Sequence, residues 1–392
     1  MKTISVGLVG LGSFGRAFAE LFKAHPAVSR IALCDQEPDR VEAFAAKESW
    51  GDKFSPRDRY DSLEAILKSD LDALVLITQH WLHAPQAVRA LEAGKHVYSA
   101  VPLVWLPDSG EVLQWCGRLV ETVRRTGLAY MLGETTVYHP EAMYGRRLAR
   151  AGAFGAFTYS EGEYFHAFDS PGCDLRQVKR LREASRAGRE WRGVLDGYIA
   201  RGALGGPMHY PTHSVSGPMS VMDARAVKVC CWGQRPVTSD PYFRHEAHAF
   251  SNETALFRMS NGSTMRVCEH RECIIGRETF RIYGTKGSLE GGVFKTLGGK
   301  VEPGRQAMRD PLPPAVVEAF QAAHPGKDFY GGHGGSHAYL VHEFTSAVAE
   351  GRRPAISAWD AARYTAAGMA AHLSALRDGE VLDVPDFGDP PR

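Results

Sequence analysis

Several stretches of the chain gather phenol, imidazole and carboxylate side chains, the groups that take up and release protons near neutral pH. Gly133-Glu134-Thr135-Thr136-Val137-Tyr138 is one. In a second, Glu161-Gly162-Glu163-Tyr164-Phe165-His166, the strand period of two sends Tyr164 and His166 to the same face. In a third, His209-Tyr210-Pro211-Thr212-His213-Ser214, Pro211 fixes an irregular backbone ahead of a helix. The last is Gly331-Gly332-His333-Gly334-Gly335-Ser336-His337, whose glycines suit a loop close to a ligand, with Ser336 capping the helix behind it and His333 and His337 placed to touch ligand hydroxyls. Each also has a plainer reading: a half-buried sheet for Tyr-x-His, a helix start for Tyr-Pro-Thr-His, an exposed loop for the histidine pair. No acidic ligands flank that pair, so no metal site is expected. His245 and His248 read as a solvated surface pair.

Different chemistry is written near the N-terminus. Gly10-Leu11-Gly12-Ser13-Phe14-Gly15 is G-x-G-x-x-G, directly after an apolar strand signal and directly before a segment with Phe18, Leu21 and Phe22 on one helical face. Gly10 suits the tight turn, Gly12 close approach of a pyrophosphate, and Gly15 helix–strand packing. A second apolar strand ends in Asp35, where a carboxylate can accept hydrogen bonds from an adenosine ribose and repels a 2'-phosphate. NAD, rather than NADP, is the cofactor expected.

These residues need a frame. Strand and helix signals alternate from residue 3 to Gly133: helices over 38–49, 62–67, 81–93 and 108–126, strands over 72–78, 95–99 and 128–133. That alternation predicts an α/β unit, a doubly wound parallel sheet of the Rossmann type over residues 1–133, with ligands at the carboxyl ends of its strands. From residue 134 to 392 the pattern changes to longer strands and irregular loops. It predicts an α+β domain on an open, mainly antiparallel sheet. Asn261-Gly262 marks a hairpin between strands over 254–259 and 263–268; 226–232 and 279–283 are further strands, 336–350 and 358–376 helices.

Composition narrows the classes. A chain of 392 residues suits two domains, and 44% hydrophobic with 23% charged residues describes a globular protein. A formal net charge of +1 gives no electrostatic case for nucleic acid or an anionic membrane, and no apolar run reaches spanning length. The first strand begins almost at once, so the cytoplasm is the expected compartment. The seven cysteines, Cys173 among them, lack C-x-x-C spacing and read mostly as small buried hydrophobes. Arg176, Lys179, Arg180, Arg182, Arg186, Arg189 and Arg192 read as a solvated helix face, with a clamp for an anionic sugar as the alternative.

Gly10 to Gly15, Thr78-Gln79-His80-Trp81-Leu82-His83-Ala84, Ala90-Leu91-Glu92-Ala93-Gly94-Lys95-His96-Val97 with Pro102-Leu103, and Phe280 to Leu289 together resemble the Gfo/Idh/MocA family of NAD(P)-dependent, sugar-active enzymes. The resemblance implies that Ser13, Phe14, Thr78, His83, Val101 and Pro102 join the glycines and Asp35 around the cofactor, and that the chain is a homo-oligomer. One departure stands out: the family's dehydrogenases carry Glu-Lys-Pro where this chain has Ala100-Val101-Pro102. Valine cannot move the proton that the lysine helps to move.

The Glu134, Tyr164-x-His166 and Tyr210-Pro-Thr-His213 segments, with Val-Pro in place of Lys-Pro, resemble a narrower group: the NAD-dependent α-N-acetylgalactosaminidases and related nicotinamide-dependent glycosidases. That resemblance implies catalytic roles for Glu134, Tyr164, His166, Tyr210 and His213 and a sugar contact for Tyr138; His333 and His337 are expected as sugar contacts from their own loop. It implies glycoside hydrolysis by transient oxidation at C3, elimination across C1–C2, water addition and re-reduction, with His213 and Tyr210 at O3, Tyr164 and His166 at C2, and Glu134 orienting the sugar or assisting the departing group. Ala100 and Ser214 depart from that pattern, where Glu and Gly are usual. The alternatives are a net sugar dehydrogenase and a non-catalytic NAD-binding regulator.

Overall fold

The computed structural model describes residues 2–47, 50–169 and 175–391. Cys173 and Ser49 lie outside them.

The first unit runs β1 (Ile4–Val9), α1 (Ser13–Ala24), β2 (Val28–Cys34), α2 (Pro38–Ala45), β3 (Phe54–Tyr60), α3 (Leu63–Leu67), β4 (Ala73–Leu76), α4 (His83–Glu92), β5 (His96–Ser99), α5 (Ser109–Thr126) and β6 (Tyr130–Leu132). Its strands form one parallel sheet in the order β3-β2-β1-β4-β5-β6, so the chain reverses direction beside β1 and opens a crevice there. The apolar face of α1 buries Phe18, Leu21 and Phe22, each worth about 1.5–3 kcal/mol of transfer free energy. The side chain of Asp108 accepts from Gly110 N and Glu111 N and starts α5, which stops at Gly127 in the left-handed region. Edge strand β3 has no counterpart in the periodicity. Its sequence, Phe54-Ser-Pro-Arg-Asp-Arg-Tyr60, is polar and carries Pro56, which only an edge tolerates.

The second unit runs α6 (Pro140–Arg150), β7 (Phe157–His166), α7 (Leu175–Ala184), α8 (Arg186–Ala200), α9 (Thr212–Met222), β8 (Ala226–Gln234), α10 (Pro241–His245), β9 (Asn252–Met259), β10 (Thr264–His270), β11 (Gly276–Gly284), β12 (Ser288–Glu290), β13 (Val293–Thr296), β14 (Gly299–Val301), α11 (Arg305–Met308), α12 (Pro314–Ala323), α13 (His337–Glu350), α14 (Ala358–Leu376) and β15 (Leu382–Asp383). The nine-stranded sheet has the order β14-β13-β12-β11-β7-β10-β9-β8-β15, and only β7 and β10 pair in parallel. The β9–β10 hairpin turns at Asn261-Gly262.

Two packing features bring the chemistry together. Helix α9, buried along almost its whole length, lies across β7 at Gly162, where an added Cβ would stand 1.8 Å from Ser214 O. Only glycine allows that approach, and it sets His213 beside Tyr164. The two sheets also share one hydrophobic core. Phe344 of α13 meets Phe22 of α1 and Tyr98 of β5, and α14 packs on α5. Between the units, Trp81 and Trp191 of α8 stack with ring centroids 4.7 Å apart and planes 9° from parallel. No helix among the described residues is long and apolar enough to cross a membrane.

Candidate active site

One cavity of about 700 Å³ lies at the carboxyl ends of the parallel strands and continues against the second sheet. At its first end Gly10, at φ +93°, makes the turn after β1; a Cβ there would stand 2.2 Å from Ile77 O. Gly12 precedes α1, and a Cβ on it would meet nothing within 4 Å. The backbone is thus bared to the cleft at the positive end of a helix, a cradle for phosphate. Asp35 accepts from Leu11 N (2.7 Å) and Glu37 N (2.9 Å), fixing its carboxylate at the end of β2, with Arg40 beside it. Ser13, Phe14, Gly15, Thr78, His83 and Val101 line the same end. Pro102 does not line it; its carbonyl lies 2.8 Å from His83 Nδ1, whose Nε2 lies 3.2 Å from Thr78 O, so the His83 ring ties the loop after β4 to the loop after β5.

At the other end Tyr164, His166, Tyr210, His213 and His333 line the cavity. The Tyr164 ring is 5.0 Å from His213 and 6.5 Å from Tyr210, and His333 is 6.5 Å from His213. Tyr164 Oη lies 2.7 Å from His166 Nδ1. Burial, reinforced by the Arg271 charge, pushes the His166 pKa down to about 3, so its ring is neutral. Burial pushes the Tyr164 phenol up. The phenol therefore donates to a neutral imidazole. His213 Nδ1 lies 2.9 Å from Glu134 Oε1. Burial is the largest single influence on each and opposes charge, but the partner's charge, the hydrogen bonds and, for His213, the Glu278 and Glu269 carboxylates together outweigh it: the imidazole rises to about 9 and the carboxyl falls. At neutral pH this is an imidazolium–carboxylate pair.

Glu134 does not reach the cavity. It is fully buried behind His213 and also accepts from Thr136 N (2.9 Å), so contact with a ligand is replaced by contact with the histidine. Tyr138 and His337 are further corrections. A 3-10 turn over Thr136–Tyr138 carries the Tyr138 ring away to stack on Tyr339. His337 is buried against Phe18, with Nε2 3.1 Å from His333 Nδ1, so it holds the lining histidine instead of lining the site. Ser336 precedes α13 but makes no capping bond, because its own backbone is already helical. His248 is not a surface residue: it lines the cavity and packs on Trp105 and Tyr242.

Arg271 was not singled out by the sequence. It is buried at the end of β10, with Nη2 2.9 Å from Glu269 Oε2 and its guanidinium 5.1 Å from the Tyr164 ring centre. Burial raises the Glu269 pKa to about 7 against the pull of Arg271. Its signal was Glu269-x-Arg271, charges alternating at the end of an otherwise half-buried strand.

Residues 4–134 match the model of the Gfo/Idh/MocA oxidoreductase family, NAD-binding Rossmann fold. The match covers the first unit, about a third of the chain. The family is NAD-binding, and the Gly10–Gly15 cradle with Asp35 fits the dinucleotide. Over 98% of the chain it is 26% identical to a glycosyl hydrolase family 109 protein of Streptomyces filamentosus, covering 78% of that protein. Over the same share it is 27% identical to another from Streptomyces niveus, again covering 78%. In fold the chain resembles an oxidoreductase domain protein of Kribbella flavida (TM-score 0.73, 18% identity, 98% of this chain and 100% of that one). It also resembles levoglucosan dehydrogenase in complex with NADH and levoglucosan (TM-score 0.69, 20% identity, 98% and 100%).

Proposed function

We propose that the protein is an NAD-dependent glycoside hydrolase that cleaves by elimination, with no net redox change. The carrying observation is the convergence of two proton-handling pairs, Tyr164–His166 and Glu134–His213, on a cavity where Val101 stands in place of the lysine of the family's dehydrogenases. The relatives named glycosyl hydrolase family 109 support this reading.

Bound NAD supplies the acceptor, and later the donor, of the C3 hydride. His213, with Tyr210 beside it, takes the O3 proton when neutral and returns it when charged; Glu134 positions the ring and sets its charge. With C3 a ketone, the C2 hydrogen becomes acidic. Tyr164 first passes its own proton to His166 Nδ1, and the resulting phenolate, steadied by Arg271, then takes the C2 proton. The C1–O bond then breaks, water adds at C1, and the same groups return their protons as C3 is reduced.

Aryl glycosides incubated with enzyme and NAD in deuterated water test this. We expect phenol release, deuterium at C2 of the sugar and no accumulating NADH. Cleavage without C2 exchange sinks the elimination route, and stoichiometric NADH without cleavage makes the protein a sugar dehydrogenase.

A further inference from the structure

Helix α7 carries much of the basic run, and its cations are not equivalent. Arg176 pairs with Asp169 and Asp240, and Lys179 Nζ lies 3.0 Å from Glu246. On α8, Arg186 pairs with Glu190 at 3.0 Å and Arg192 with Asp196 at 2.9 Å. Each of these four cations has a carboxylate partner. Arg182 differs. It is half-buried and lines the cavity with Leu175 and Val178, at the i, i+3 and i+7 positions of one helix face. Among the described residues its guanidinium has no hydrogen-bond or ion-pair partner.

The place it occupies is defined by its neighbours. The Arg182 charge is felt at Tyr210, Tyr242 and His166, on which Arg271 also acts from the sheet side, and at His80 and His83 in and after the loop that follows β4. Glu246 is the carboxylate lining this corner, and Lys179 compensates it; Glu269 lies behind Arg271. His213 adds a further positive charge. The phosphate cradle at Gly12 is at the other end of the cavity and has its own helix terminus, and Arg40 attends Asp35 there.

We propose that Arg182 is the anchor for an anionic substituent, a carboxylate or sulfate, on the sugar that this site processes, so that the substrates are acidic glycosides. The inference rests on the proposed sugar-processing site, not on the hydrolytic outcome. A planar guanidinium fork held on the apolar side of a helix, without a protein carboxylate, leaves its donors for a ligand.

Calorimetric titration of the NAD-loaded protein tests this without turnover. The ligands are the α- and β-methyl glycosides of glucuronate, galacturonate, glucose and galactose, and glucose 6-sulfate. We expect at least one acidic ligand to bind tenfold or more tightly than its neutral counterpart, uronates and sulfate being separated by which of them does so. Arg182→Met should remove that preference, Arg182→Lys should keep part of it, and the Kd for NAD should move less than twofold in both. Equal or tighter binding of the neutral sugars by the wild type overturns the proposal. So does a loss of NAD affinity in Arg182→Met as large as the loss for the acidic sugar, which would assign the side chain to the cofactor. An acidic preference together with failed glycoside cleavage would overturn the hydrolase reading alone.

Discussion

At the residue scale the Glu134–His213 pair controls when the site can remove a proton. The imidazole becomes a base only as the pH rises through its pKa of about 9, because the folded state favours the charged form. An acid limb in kcat/KM rising toward that pH is therefore expected. Glu134→Gln removes the strongest of the carboxylate charges that hold the imidazolium, leaving Glu278 and Glu269 against burial. The limb should move down by more than one pH unit, read from the kcat/KM profile against the wild type; an unmoved limb would assign it to another group. Tyr138 and His337 show why the sequence misplaced residues at this scale. Both follow the expected elements, but side-chain direction depends on a 3-10 turn in one case and on an aromatic pocket around Phe18 in the other, and neither has a periodic signal. Arg182 was legible in part. Leu175, Val178 and Arg182 share a helical stripe, yet the density of nearby charges reads as solvation until the opposite wall is known.

At the scale of elements, α9 against β7 decides whether the tyrosine and the histidine meet. Gly162→Ala places a methyl 1.8 Å from Ser214 O, so helix and strand must part. A cost of about 1–3 kcal/mol is expected from such overpacking, measured as a lower denaturant midpoint, with a loss of activity beyond that of stability because Tyr164 and His213 separate. The strands and helices of the first unit were legible because each carries a strong period: buried runs for β1, β2 and β4, one apolar face for α1. β3 was not, since an edge strand need bury little. The order of the second sheet, with β7 and β10 parallel in its middle, was not legible either, because strand neighbours far apart in sequence are chosen by tertiary packing.

At the scale of the molecule, the two sheets share a core, so they should not unfold separately. Phe344→Ala removes a ring lodged between Phe22 and Tyr98, at a cost of about 3–5 kcal/mol. Calorimetry should show one transition, shifted as a whole. Saturating NAD at 100 times its Kd should restore about 2.7 kcal/mol, because the ligand binds only the folded state. Two transitions, with NAD moving one of them, would count against a shared core.

The stacked indoles of Trp81 and Trp191 join a loop of the nucleotide unit to α8, which runs on from the helix bearing Arg182. Two chromophores held this close and nearly parallel exchange excitation. The protein thus carries its own optical gauge of how α8 is seated: a coupled band in the circular dichroism spectrum that Trp191→Phe should abolish. Any ligand that lifts or tightens α8 would change its amplitude, with no label attached.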